Sequence, residues 1–92
     1  MAVEVKVTAN MKKLLGGAST VEAAGGTVRD VLDDIEKRFP GFRESVMNDG
    51  AIHRFVNVYL NDEDVRFLGQ LYTPTSDGDV LSVLPALAGG YS

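Results

Sequence analysis

Val80-Leu81-Ser82-Val83-Leu84 is a run of apolar residues near the end of the 92-residue chain, and Pro85-Ala86-Leu87-Ala88-Gly89-Gly90 follows it directly. The run has the composition of a strand. Proline has no N–H to donate to a neighbouring strand, so we expect the strand to end at Leu84. The small residues beyond it carry little side chain with which to pack, and we predict a flexible tail over residues 85–92.

The amino-terminal segment alternates in the way that a half-buried strand does. Residues 1–8 place charged and polar side chains on one face and valines on the other, namely Val3, Val5 and Val7. Residues 19–23 alternate in the same manner, and the connection over residues 10–18 contains Gly16-Gly17. We therefore predict that the chain begins with a hairpin of two strands.

One amphipathic helix is predicted after this hairpin. Thr27 is a suitable N-cap, and Asp30 brings negative charge to the first turn. Apolar side chains recur at helical spacing and form one stripe, which consists of Val28, Val31, Leu32, Ile35 and Phe39. Pro40 disfavours helical dihedral angles at the preceding residue, so the helix should end near Arg38, with its stripe facing the sheet.

A further strand is predicted over residues 55–60, which are β-branched and aromatic and run into the turn-forming pair Asn61-Asp62. Its inward face is expected to consist of Val56, Val58 and Leu60. Phe55 and Tyr59 then lie on the opposite face, where two exposed aromatic side chains form a possible docking surface.

The remaining segments are shorter. Residues 42–51 are expected to form a crossover with a helical turn over residues 44–47. Residues 65–67 are predicted to form a brief strand, residues 69–76 a loop, and Asp77-Gly78 a turn into the final strand.

This order of elements predicts an α+β fold. If the last strand lies beside the first and parallel to it, with the helix in the right-handed crossover, the arrangement is the β-grasp of ubiquitin-like domains. We expect a mixed sheet of four to five strands packed on one main helix, with the domain spanning residues 1–84 and the tail residues 85–92.

Composition excludes several classes of function. The chain contains no cysteine, so disulfides, thiolate nucleophiles and zinc–thiolate sites are absent. Its formal net charge of −4 makes nucleic acid an unsuitable partner and favours a basic patch on a partner protein. No apolar stretch approaches the length of a membrane span, and the first residues lack the pattern of a signal peptide, so we expect a cytoplasmic protein without membrane contact.

The chain offers no convincing active site or metal site of its own. His53 is the single histidine and has no nucleophile motif around it. Asp62-Glu63-Asp64 lacks the spacing of a calcium loop and is best interpreted as a solvated turn, and Lys12-Lys13 as a solvated loop. The tail is the remaining candidate, because Gly89-Gly90 can enter a narrow channel and present a backbone carboxyl group there.

These motifs together resemble the ThiS/MoaD family of sulfur-carrier proteins. The resemblance rests on the β-grasp order, on residues 56–62 (Val-Asn-Val-Tyr-Leu-Asn-Asp), on Asp77-Gly78-Asp79, and on residues 84–90 with their terminal Gly89-Gly90. The stretch over residues 53–67 is most similar to the CysO-type carriers of cysteine biosynthesis.

The resemblance implies a carrier, with no bound cofactor, that other proteins act on. A ubiquitin-activating-type enzyme would use ATP to adenylate the carboxylate of Gly90, and sulfur would displace the adenylate to leave a thiocarboxylate. Residues inserted into the partner's active site would be Pro85, Ala86, Leu87, Ala88 and Gly89. A sulfur-accepting synthase and a JAMM-type metalloprotease are the other implied partners. Family members typically end at the diglycine, so Tyr91 and Ser92 are expected to be removed by such a protease.

Three alternatives remain at this point. A molybdopterin- or thiamin-type carrier would use the same chemistry. A ubiquitin-like modifier would instead join Gly90 to lysine side chains of other proteins, and a plain interaction module would bind through Phe55 and Tyr59 with an inert tail.

Overall fold

A computed structural model describes residues 2–85 of the chain. The strands in this part of the chain are β1 (Ala2–Val7), β2 (Thr20–Ala24), β3 (Met47–Asn48), β4 (Ala51–Ile52), β5 (Val56–Leu60), β6 (Glu63–Asp64) and β7 (Val80–Pro85). The helices are α1 (Val28–Arg38), α2 (Phe42–Val46) and three 3-10 helices over Ala9–Leu15, Val65–Phe67 and Gln70–Tyr72.

Five strands form one mixed sheet in the order β2-β1-β7-β5-β6. The last strand lies parallel to the first, with Val7 opposite Val83, and antiparallel to β5, with Asn57 opposite Leu84. β1 and β2 form the predicted antiparallel hairpin. The predicted fold is therefore confirmed, and β7 occupies the centre of the sheet, where it is hydrogen-bonded on both sides.

The main helix begins and ends where the sequence predicts. The Thr27 side chain accepts a hydrogen bond from the Asp30 N–H at 3.2 Å, and the helix stops at Arg38, two residues before Pro40. Gly25 allows the connection from β2 to pass close to the first turn, because a Cβ there would lie 2.6 Å from the backbone nitrogen of Val31.

The core lies between α1 and one face of the sheet. The helix contributes Val28, Val31, Leu32 and Ile35, all with no exposed surface. The sheet contributes the alternating positions Val3, Val5, Val7, Val56, Val58, Leu60, Leu81 and Val83. Phe42 of α2, which no sequence pattern singled out, is the largest fully buried side chain.

Three segments form 3-10 helices where the sequence predicts a strand or a connection. Residues 65–67 form a 3-10 helix rather than the predicted strand, because the Asp64 carboxylate accepts the Arg66 N–H at 2.9 Å and caps that turn. The neighbouring strand β6 starts directly after Asn61 and Asp62, whose positive φ angles of 50° and 73° are typical of a two-residue hairpin turn. The other two 3-10 helices overlap the predicted connections over residues 10–18 and 69–76, and the first of them buries Met11 and Leu15.

The crossover helix also differs from its prediction. It spans Phe42–Val46 instead of residues 44–47, because Gly41 adopts a φ of 102° and redirects the chain immediately before Phe42.

Pro85 belongs to β7, one residue beyond the predicted end of the strand. The Asn61 N–H donates to the Val80 carbonyl, so residues 80, 82 and 84 direct their backbone polar groups to β5, and residues 81, 83 and 85 direct theirs to β1. The pairing with β1 ends at Val7 and Val83. The N–H that proline lacks would therefore point beyond the last β1 pair, and Pro85 continues the strand without loss of a ladder bond.

The outer edge of β2 is covered by an ion pair from α1. The Val7 N–H donates to the Ser19 carbonyl, so residues 20, 22 and 24 direct their backbone groups away from β1. Arg38 donates to the Glu22 carbonyl at 2.6 Å, and Asp34 accepts the Ala24 N–H at 2.9 Å. Since Arg38 and Asp34 also pair at 3.2 Å, they occupy part of an edge that is otherwise open to strand addition.

Within residues 2–85, no helix is long and apolar enough to cross a membrane.

Candidate functional site

The root of the predicted tail is the end of β7. Leu84 and Pro85 are half-buried and lie opposite Asn57 and Val56 of β5. The predicted adenylation site Gly90, the predicted insertion residues 86–89, and the extension Tyr91-Ser92 lie outside the described residues and stay predictions. The structure thus shows where the tail begins, between β1 and β5 in the middle of the sheet.

Arg66 holds the strand that supports this root. Its guanidinium donates to the Val56 carbonyl at 2.6 Å and to the Asn57 Oδ1 at 2.8 Å, and lies 3.8 Å from the Asp64 carboxylate. β6 is too short to pair with the start of β5, so this side chain satisfies the carbonyl that the edge would leave open. Sequence reasoning missed Arg66, because a side chain that bonds a backbone ten positions away leaves no periodic signal.

The predicted docking residues Phe55 and Tyr59 lie in different local structures. Phe55 precedes β5 and is 45% exposed, whereas Tyr59 is half-buried in β5 opposite Ser82. The Arg54 guanidinium lies 4.9 Å from the centre of the Phe55 ring, and the His53 ring lies 5.5 Å from it. Phe55 therefore forms a small cluster with two cationic or polar neighbours beside the tail root.

Two other aromatic side chains are more exposed than Phe55. Phe67 is 87% exposed and Tyr72 is 70% exposed, with Leu68 between them in the chain at 41%. They lie on or next to the two 3-10 helices over residues 65–72, where the sequence predicts a brief strand and a loop. Because a strand over residues 65–67 would bury the side chains on one of its faces, the sequence does not predict an exposed aromatic surface in this segment.

His53 has a local structural role. Its Nδ1 accepts the Phe55 N–H at 3.1 Å, which closes the turn before β5. Within the described residues, no group of three acidic, histidine or cysteine side chains is arranged to hold a metal ion. The carboxylates of residues 62–64 belong to the hairpin turn and β6, and Asp64 is occupied by the Arg66 N–H.

Asp79 and Asn61 clip the start of β7 to the turn after β5. The Asn61 side chain donates to Asp79 at 3.0 Å and accepts the Val80 N–H at 2.9 Å, and the Ser76 N–H donates to Asp79 at 2.8 Å. The hydrogen bond from Asn61, followed by that from Ser76, lowers the pKa of the Asp79 carboxyl below its usual value. The Asn61-Asp62 and Asp77-Gly78-Asp79 motifs therefore stabilise the two turns of the fold. They lie at the end of the sheet away from the tail root.

Glu36 and Arg43 form a second structural group, between α1 and α2. Glu36 accepts the N–H groups of Arg43 at 2.9 Å and Gly41 at 3.1 Å, and these bonds lower the pKa of its carboxyl. Arg43 is bonded to Asp33, which raises the pKa of its guanidinium. Neither shifted group faces a nucleophile or a metal cluster within the described residues, so both are explained by the turn that they hold.

The mixed sheet with its last strand at the centre, packed on one main helix, defines a ubiquitin-like β-grasp domain, and its candidate site is the segment that leaves β7. Comparison with known families agrees with that class. The model of the ThiS family matches residues 5–90, and the chain belongs to the ThiS family.

Named relatives match along almost the whole chain. The sulfur carrier protein CysO of Mycobacterium tuberculosis is 44% identical over 93 residues, covering 98% of this chain and 100% of the relative. Small archaeal modifier protein 3 of Haloferax volcanii is 33% identical over 92 residues, with coverage of 98% and 100%. Among solved structures, CysO in the BexX/CysO complex of Amycolatopsis orientalis superposes with a TM-score of 0.90 at 45% identity, covering 96% of this chain and 99% of that one.

Proposed function

We propose that this protein is a sulfur carrier rather than an enzyme, and that its cargo is bound at the carbonyl of Gly90. Removal of Tyr91 and Ser92 frees the Gly90 carboxylate. An activating enzyme then adenylates it with ATP, and sulfur replaces the adenylate to give a thiocarboxylate. Cysteine or a related sulfur metabolite is the proposed destination of the sulfur.

The observation that carries this proposal is the match of the family model as far as Gly90, on a chain whose last strand is central. β7 is bonded to β1 and β5 on its two sides, so the tail starts from the rigid middle of the sheet. Gly90 is the fifth residue after Pro85. Such a length spans at most about 17 Å when fully extended, which is enough to reach into a partner's active site while the domain stays outside.

The chemistry balances without a catalytic group on this chain. A carboxylate oxygen of Gly90 attacks the α-phosphorus of ATP, a P–O bond breaks, and pyrophosphate leaves. A sulfide sulfur then attacks the acyl carbon, the C–O bond to the phosphate breaks, and AMP leaves. Both steps need the reacting atoms at close range, and the absence of side chains at Gly89 and Gly90 permits that approach.

The proposed partners follow from these steps. They are a ubiquitin-activating-type adenylating enzyme, a synthase that accepts the sulfur, and a JAMM-type metalloprotease that cuts after Gly90. ATP is used by the activating enzyme and not bound by this chain. The CysO relative crystallised with BexX supports a mode of action through complexes with other proteins. A molybdopterin- or thiamin-type pathway would differ only in the acceptor.

An ATP–pyrophosphate exchange assay tests the proposal. The chain truncated after Gly90 is incubated with its activating enzyme, ATP and labelled pyrophosphate, and we expect label to enter ATP. The chain that retains Tyr91-Ser92 has an amide in place of the carboxylate and serves as the matched control, which should give none. Absence of exchange with the truncated chain would refute the proposal.

A second function is favoured by one specific comparison. The 33% identity to a small archaeal modifier protein supports a role as a ubiquitin-like modifier, in which Gly90 forms an isopeptide bond to a lysine of another protein. Expression of an epitope-tagged chain in its native cells would distinguish the two. Slower-migrating conjugates that disappear when Gly89-Gly90 are deleted would establish that the chain modifies other proteins. If no conjugates form, the modifier function is refuted and the sulfur-carrier function is retained.

A further inference from the structure

The directions of the strands sort the charged residues into two ends of the domain. β1 and β7 are parallel, so both end at the side from which the tail leaves, and the 3-10 helix Ala9–Leu15 follows β1 there with Lys12 and Lys13 exposed. β5 is antiparallel to β7 and begins at the same side, two residues after exposed Arg54. We call Lys12, Lys13 and Arg54 the exit rim.

The C-terminal end of α1 adds to this side. α1 follows β2 and runs back toward the tail exit, because Asp34 contacts Ala24 and Arg38, one turn later, contacts Glu22. Gly16, at the end of the 3-10 helix, lies against Phe39 just beyond α1, since an added Cβ would meet the Phe39 ring at 3.4 Å. Lys37 in the last turn of α1 is therefore close to the rim.

The opposite end of the sheet is acidic. Asp62 lies in the turn after β5, Glu63 begins β6, and Asp77 and Asp79 lie just before β7. Asp77 accepts the Ala2 N–H at 2.9 Å, so this end contains the start of β1 as well. Arg29 lies in the first turn of α1, at the end of the helix away from the tail exit.

The rim cations are not used by the fold. The four ion pairs among residues 2–85 involve Arg29, Arg38, Arg43 and Arg66, and none involves a rim residue. Arg54 lies over Phe55, an arrangement that leaves its charge on the surface. Near the C-terminal end of α1, the Glu36 carboxylate accepts two backbone N–H groups, and Glu44 of α2 is exposed.

The distance between the basic and the acidic end of the domain is long enough that a partner protein responds to the charge at the end it approaches, and not to the net charge of the chain. Six residues of β7 span about 20 Å between the two ends. At physiological ionic strength, salt largely screens the interaction between exposed charges that are more than about 8 Å apart. A surface that approaches the tail exit therefore meets the lysines and Arg54, and is shielded from the acidic end even though the chain carries −4 overall.

We propose that the exit rim is a docking surface for an acidic protein surface, formed by carboxylates around the channel that admits the tail in the activating enzyme. The proposal rests on the function proposed above and names the chemistry of that partner's surface. It reverses the expectation from net charge that a basic patch on the partner suits this chain. The role of the rim is to orient the domain so that the end of β7, from which the tail leaves, faces the mouth of the channel.

Charge reversals at the two ends test the inference. Lys13→Glu changes the rim and Arg29→Glu changes the far end, with the same change in net charge. Two units of charge at about 10 Å in water alter an affinity by about threefold at low ionic strength. We expect Lys13→Glu to raise the Kd for the activating enzyme by about that factor, the Lys12→Glu/Lys13→Glu double variant to raise it further, and Arg29→Glu to leave it unchanged.

Two readouts keep the outcomes separate. Direct binding is measured for the truncated chain at low and high salt, together with the carrier concentration that half-saturates ATP–pyrophosphate exchange. An effect confined to rim variants and abolished by high salt supports the rim, whereas equal effects of rim and far-end variants, or an effect that salt does not change, overturn it. Binding of ATP by the carrier alone that rim variants abolish would assign these lysines to phosphate instead. Binding without any exchange would refute the proposed function while the rim is still decided by the Kd values.

Discussion

Removing the Arg66 side chain should loosen the root of the tail before it loosens the rest of the domain. Arg66 bonds the first two residues of β5, Val56 and Asn57, and these are the residues that lie opposite Pro85 and Leu84. In Arg66→Ala the Val56 carbonyl loses its partner and Asn57 is no longer held. The pairing that fixes the end of β7 then depends on backbone bonds alone.

The magnitude follows from the two contacts. A hydrogen bond from a charged donor contributes about 1.5–3 kcal/mol when buried. The Arg66 side chain is 34% exposed, so water replaces part of each bond, and we expect a total loss of about 1–2 kcal/mol in the free energy of unfolding. For a domain of this size that corresponds to a decrease in Tm of roughly 5–12 °C.

Thermal unfolding and amide hydrogen exchange measure the two parts of this prediction. Exchange at Leu84, which faces Asn57, should rise more than exchange at Leu81, whose N–H faces β1. Arg29→Ala is the matched control, because the ion pair of Arg29 within residues 2–85 is with Asp33 at 4.0 Å on the helix surface, and it should leave both quantities near their original values. A Tm within about 1 °C of the parent, or equal acceleration at Leu84 and Leu81, would refute the reasoning.

Three further predictions concern other parts of the fold. The Asp34→Ala/Arg38→Ala variant uncovers the edge of β2 and should dimerise with rising concentration in size-exclusion chromatography with light scattering; a monomer throughout would show that the pair does not guard the edge. The folded-state pKa of Asp79 lies below its ordinary value of 3.8, so its stabilisation is present above pH 3.8 and lost as the pH falls through the folded value. Asp79→Asn should therefore unfold at lower urea than the parent at pH 7 and converge with it in acid, and a gap independent of pH would contradict this. Thr8→Val removes a buried hydroxyl with no partner among the described residues and should raise stability by up to about 1 kcal/mol, whereas a lower Tm would show that the hydroxyl is bonded.

Long, regular patterns predicted most of this fold. The alternation of Val3, Val5 and Val7 has the period of a strand, and the α1 stripe has the period of a helix, so each face was identified by its spacing. The 3-10 helices were missed, because segments of three to seven residues are too short to show a period. The sequence predicts that the strand ends before Pro85, whereas β7 includes it. Whether the missing proline N–H costs a hydrogen bond depends on which neighbouring strand the backbone of residue 85 faces, and only the register of the folded sheet shows this.

The sequence predicts those parts of the candidate site that are local in the chain. The tail is predicted from residues 84–90 and their glycines, and it stays a prediction beyond Pro85. Phe55 is exposed as the alternation over residues 55–60 predicts, although β5 begins only at Val56. Arg66 and the exit rim were not predictable, because they depend on which segments the topology brings together at one end. Lys12 and Lys13 were interpreted as a solvated loop, and the parallel pairing of β1 and β7 is what places them beside the tail.

Intact mass measurement of the carrier tests the central claim most directly. The chain truncated after Gly90 is incubated with its activating enzyme, ATP and sulfide, and its C-terminal peptide is then weighed. The account predicts a gain equal to the difference between sulfur and oxygen, located at Gly90 and absent without ATP. A C-terminal peptide that keeps its original mass while ATP is consumed would contradict it.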